Sequence, residues 1–139
     1  AMQKDFEIVD HTADVGIIAY GANISEAFAN AAGALFSLIT ELDNVEEVIY
    51  RDIELTAQDE ESLLVEWLHE FIYLFDVENI LFKRFDITEL SNTRLKARSY
   101  GEKVDSSKHK LKTGVKAVTY HMLKIDKVDG CKVQVLFDI

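Results

Sequence analysis

The chain has 139 residues, one cysteine, no proline and a formal charge of −10 at pH 7. That length fits one domain able to bury a core without covalent staples, and a lone cysteine excludes an intramolecular disulfide framework. No apolar run is long enough to cross a bilayer, and the opening AMQKD has no apolar signal region. The expectation is a single cytoplasmic domain over residues 1–139 with no membrane association.

A short strand is expected over residues 6–9, apolar on alternate positions, and a second over residues 16–20. The first helix is expected over residues 24–39. Asn23 can cap it, with Glu26 three residues on in a capping-box position. Ala27, Phe28, Ala31, Ala32, Leu35, Phe36, Leu38 and Ile39 then form a broad apolar face. Residues 45–56 alternate as a strand. The second helix is expected over residues 60–75, capped by Asp59, with Glu60 and Glu61 in the first turn where the dipole favours acids. Its buried stripe runs Leu63, Leu64, Trp67, Leu68, Phe71, Ile72 and Phe75. Strands follow over residues 81–90 and 93–100, with Ser91-Asn92 at the turn. The last two cover residues 117–125 and 132–137, and turn at Asp129-Gly130, a strong hairpin dipeptide. This order predicts an α+β fold: two helices packed on one side of a largely antiparallel sheet.

Charge is unevenly placed. Residues 1–93 hold 4 Lys/Arg and 20 Asp/Glu, and residues 94–132 hold 11 Lys/Arg and 4 Asp/Glu, so −16 stands against +7. The stretch GEKVDSSKHKLKTGVKAVTYH, residues 101–121, concentrates the effect with five lysines and two histidines. It marks either a surface for an anionic partner, RNA or an acidic protein patch, or a site that needs ordered polar groups. A third reading is that folding interleaves the charges. The acid excess makes free, non-specific nucleic-acid binding a poor candidate.

Three segments carry candidate chemistry. His11-Thr12-Ala13-Asp14-Val15-Gly16 lies between two short strands. Its aspartate can ligate a metal, accept a backbone donor or cap a turn. The ending Phe137-Asp138-Ile139 sets a carboxylate side chain beside the terminal carboxylate, a pair that repels unless donors or a hard cation such as Ca²⁺ or Mg²⁺ neutralise it. The alternative is a solvated tail, although Val133, Val135 and Phe137 argue for a strand packed to its end. The basic stretch, with Lys116 leading into Ala117-Val118-Thr119-Tyr120-His121, is the third. The four histidines, His11, His69, His109 and His121, have no zinc-site spacing. There is no phosphate loop, no dinucleotide fingerprint and no nucleophile elbow. Cys131, at a hairpin turn without a sequence-local base, is a poor nucleophile.

Taken together, His11-Thr12-Ala13-Asp14-Val15-Gly16, the Leu63-Leu64…Trp67-Leu68…Glu70 helix, the segment from Gly101 through Lys116 to His121 and the Phe-Asp-Ile ending resemble the archease family, in order and over essentially the whole chain. Lys103 and Val104, and Ser106 and Ser107 in place of a proline-bearing turn, depart from many members. The resemblance implies an accessory protein, not itself a catalyst, that activates an RtcB-type tRNA-splicing ligase by promoting its GTP-dependent guanylylation and multiple turnover. It also implies a strand-helix-strand-strand module with an insertion. It places a divalent metal, calcium or magnesium, at Asp14, Asp138 and the terminal carboxylate of Ile139. His11, Lys116 and His121 are implied as partner contacts or site support. Two other readings remain: a free-standing metal-dependent hydrolase or small-molecule binder using the same carboxylates, and an RNA chaperone acting through residues 94–132.

Overall fold

Both helices start where local chemistry tells them to. In the computed structural model, which describes residues 4–10 and 14–139, α1 (Ile24–Ile39) is capped by Asn23, whose side chain accepts from the Glu26 amide at 2.9 Å. Asp59 caps α2 (Glu60–Glu78) in the same way, accepting from the Ser62 amide at 2.8 Å. The second helix runs one turn past the expected residue 75. It stops at Asn79, which takes the left-handed conformation (φ 56°) and returns its amide to the last turn.

Among the described residues, seven strands complete the fold: β1 (Phe6–Asp10), β2 (Asp14–Gly21), β3 (Ile49–Thr56), β4 (Ile80–Leu90), β5 (Arg94–Lys103), β6 (Ala117–Asp126) and β7 (Cys131–Asp138). The strand expected from residue 45 starts at Ile49, because Leu42–Asn44 forms a 3-10 turn that takes up the Val45 amide. The strands divide between two sheets. One has the order β1-β2-β7-β6 and the other β3-β5-β4, and every pairing is antiparallel. Each helix packs against strands of both sheets, α1 mainly on β2 and β4 and α2 mainly on β6. The helices therefore serve two sheets, which explains why the buried surface of α1 is so broad.

The core is aromatic where the helices meet the second sheet. Trp67 and Phe71 lie edge to face at 4.6 Å, and Phe71 meets Phe82 at 5.3 Å and Phe85 at 5.1 Å. Trp67 also donates its indole N–H to the Phe28 carbonyl at 2.8 Å, tying α2 to α1.

Glu70 sits half-buried on α2. Burial, reinforced by Glu66 and Glu78, pushes its carboxyl above the usual range. The folded chain thus keeps this proton to a higher pH than the unfolded chain does. Stability falls as pH rises from the ordinary carboxylate value through the raised one. Glu70→Gln is expected to raise the melting temperature at pH 7 and to leave it nearly unchanged below about pH 4. Thermal unfolding followed by circular dichroism at both pH values checks this; a lowered midpoint at pH 7 rejects it.

Candidate metal centre and its surroundings

Asp14 opens β2 and Asp138 closes β7, and the register makes them direct partners across the ladder. Directly opposed residues on antiparallel strands have Cβ atoms about 4.5–5.5 Å apart. Val15, Ile17 and Ala19 on β2, and Val133, Val135 and Phe137 on β7, face the core. Strand alternation therefore sets both aspartates on the other face of this sheet, toward solvent. Ile139 follows directly and is exposed. The Lys116 amide donates to the Asp138 carbonyl at 2.8 Å, and Ala117 pairs with Asp138 from the other side. The fold thus brings Asp14, Asp138, Ile139 and the Lys116 main chain to one tip.

His121 is not brought to the same row. It lies two residues past Thr119, in a bulge where Tyr120 to Leu123 face only Val135. Met122 in that bulge takes φ 59°, and its carbonyl accepts from the Gln134 side chain at 2.9 Å. His11 lies outside the described residues. Among the described residues, no group of three His, Cys, Asp or Glu side chains is close enough to hold a metal. A cation here would have two side-chain carboxylates and depend on a main-chain carboxylate for a third.

His69 carried no sequence signal, yet its Nε2 accepts the Val118 amide at 3.1 Å and fixes the start of β6 against α2. Backbone amides between residues 112 and 116 need partners that periodicity does not reveal. Here Lys112 and Thr113 donate to the Ile39 and Leu38 carbonyls, which the end of α1 leaves open.

The basic residues of 94–132 are matched in part inside the fold: five of the eleven pair with described carboxylates. Lys108 pairs with Glu46 and Glu102, Lys112 with Glu41, Lys127 with Glu60, Arg94 with Glu54 and Arg98 with Asp52. His109 is buried. Its Nδ1 accepts the Asp105 amide at 3.0 Å, so its proton sits on Nε2, which lies 3.1 Å from the Asn44 carbonyl and 3.2 Å from Glu102. Within residues 101–121, ordered polar structure and interleaved charge account for Lys108, His109 and Lys112, whereas Lys103, Lys110 and Lys116 form no ion pair with a described carboxylate. Cys131 is also buried, which pushes its thiol up and away from the reactive thiolate.

Comparison with known proteins agrees with the resemblance over nearly the full length. The archease protein family matches residues 6–139. The protein archease of Methanosarcina mazei is 40% identical over 98% of this chain and 97% of its own. That of Pyrococcus abyssi is 42% identical over 91% and 92%. The solution structure of Methanobacterium thermoautotrophicum protein 1598 superposes with a TM-score of 0.84 at 38% identity, covering 99% of this chain and all of that one. A crystal structure of an archease from Thermotoga maritima shares the fold, with a TM-score of 0.65 at 21% identity.

Proposed function

The chain belongs to the archease family, and on that premise we propose that it activates an RtcB-type tRNA-splicing ligase in the cytoplasm. It promotes the GTP-dependent guanylylation of the ligase and its multiple turnover, and is not itself the catalyst. The observation that carries the reading, beside the family, is the direct opposition of Asp14 and Asp138 at an exposed tip. Like charges directly opposite one another destabilise a ladder, so this pair is better suited to holding a cation than to holding the sheet. The donors are all oxygen, which fits calcium or magnesium and not a thiolate-seeking metal. Asp14, Asp138 and the Ile139 main-chain carboxylate are the residues that would hold it.

A divalent cation held there would offset most of the negative charge of this tip and supply Lewis-acid chemistry. The chain's own work is positional. The Lys116 amide and Ala117 anchor Asp138 from one side while β2 holds Asp14 from the other. Lys116, exposed beside the tip, and His121, exposed in the bulge, are available to the partner, and His11 precedes Asp14 by three residues. Lys96, Lys103, Lys110, Lys116, Lys124 and Lys132 form no ion pair with the described carboxylates; any RNA contact through residues 94–132 falls to them. No described helix is long and apolar enough to cross a membrane.

The test is ligase guanylylation with and without the protein, after chelation and on readdition of calcium or magnesium. Stimulation that returns with the cation is expected. Phosphoester hydrolysis by the protein alone, without stimulation of the ligase, overturns the reading in favour of a free-standing hydrolase. Two residues appended after Ile139 are expected to lower stimulation as far as losing Asp138 does, since a neutral peptide carbonyl then stands where the carboxylate was. The same extension before Ala1 leaves stimulation intact. Equal activity of the two extended forms removes Ile139 from the site.

A further inference from the structure

The outer face of the four-stranded sheet departs from the usual alternation. An antiparallel sheet with one face on the core commonly has polar residues on the other. Here the row next to Asp14 and Asp138 is Gly16 opposite Leu136, flanked by Val9 on β1. Leu136 faces away from the main core and is nonetheless only 2% exposed. Between these residues lies a cleft of about 200 Å³, lined by Val9, Gly16, Ile18, Met122, Gln134 and Leu136.

Two features of the chain make the cleft. Position 16 has no side chain, and a Cβ there would stand 2.9 Å from Leu136 Cδ2, so glycine leaves the floor open. The bulge in β6 supplies the far wall through Met122. That residue is held in the left-handed region at φ 59°, a conformation costing about 1–2 kcal/mol for a residue with a Cβ. Bulges of this kind re-aim side chains beside functional sites. This one leaves Tyr120 57% and Met122 47% exposed, residue types enriched at protein interfaces. A dry cavity of about 150 Å³ accepts a benzene-sized group, so this cleft has room for one such side chain.

The neighbouring charge completes the description of the occupant. Asp14, Asp138 and the Ile139 carboxylate give a formal −3 without a cation and −1 with a divalent one. The rim is negative in both states, and the complementary neighbour is a cation in both. We propose that this cleft docks a segment of the ligase that inserts one apolar side chain, flanked by a lysine or arginine facing Asp14 and Asp138. The proposal rests on the function proposed above.

The experiment measures binding of the full-length ligase by titration calorimetry to the unaltered protein and to two variants. Gly16→Ala drives the end of Leu136 into the cleft. Met122→Gly removes the wall, while glycine takes φ 59° without strain, so its melting temperature should not fall. Each variant is expected to weaken ligase binding about tenfold or more, a loss of about 1.4 kcal/mol, while calcium titration of the protein alone is unchanged. Folded, calcium-binding variants with unaltered ligase affinity overturn the cleft and leave the proposed function standing. No ligase binding by the unaltered protein overturns both. A concentration-dependent dimer in sedimentation that either variant abolishes assigns the cleft to a second copy of this chain, and overturns the proposal.

Discussion

Asp14→Asn and Asp138→Asn are each expected to abolish stimulation of ligase guanylylation while leaving the protein folded. Each removes one of the two side-chain carboxylates of the proposed site, where no group of three such side chains is present among the described residues. Loss of a mere supporting contact behind a metal ligand already costs about 10–100-fold in affinity, and loss of a ligand costs more. The stability change has an unusual sign. Asp14 and Asp138 are directly opposed, and opposed like charges are unfavourable by a few tenths to about 1 kcal/mol. In chelator, either variant should therefore melt at or above the unaltered protein. With cation at a hundred times its dissociation constant, the unaltered protein gains about 2.7 kcal/mol and the variants do not. Crossing of the two melting curves on adding calcium or magnesium is the expected signature. A variant that unfolds in chelator, or that stimulates the ligase fully, removes the aspartates from the proposed role.

Trp67→Ala is expected to destabilise the fold by about 3–5 kcal/mol, the range for deleting a large buried aromatic. Trp67 is fully buried, meets Phe71 edge to face and joins α2 to α1 through the Phe28 carbonyl. Against a total of about 5–15 kcal/mol for a domain, that loss is a large fraction. Urea unfolding should show a lower midpoint with an unchanged slope. Trp67→Phe keeps most of the apolar volume and loses the hydrogen bond, so it should cost far less. Similar midpoints for the alanine variant and the unaltered protein would mean that the two helices are not coupled through this residue.

Local chemistry carried the helices. Asn23 and Asp59 cap them through amides three residues away, and the apolar stripes repeat within a few turns, so both signals lie inside a short window of sequence. The apolar stripe ends one turn before α2 does, because Asp76, Val77 and Glu78 fall outside it. The stop signal is Asn79, which tolerates the left-handed conformation. The strands were visible as alternation, with boundaries off by a few residues. The turn at Asp129-Gly130 was legible because both residues take positive φ.

The candidate site was legible only in pieces. Asp14 and Asp138 each looked weak, and it was resemblance to a family that joined them. What the sequence by itself determined was the kind, order and approximate extent of the elements, since caps, turns and periodicity act over neighbouring residues. The tertiary structure alone decided that the strands form two sheets, and that β2 lies against β7 so that residue 14 faces residue 138. It decided that the acidic β3 pairs with the basic β5, setting Asp52 against Arg98. It also decided that the bulge in β6 walls a cleft over Gly16. Pairing and register are set by which apolar faces can be buried together across the whole chain, a choice that no short window of sequence contains.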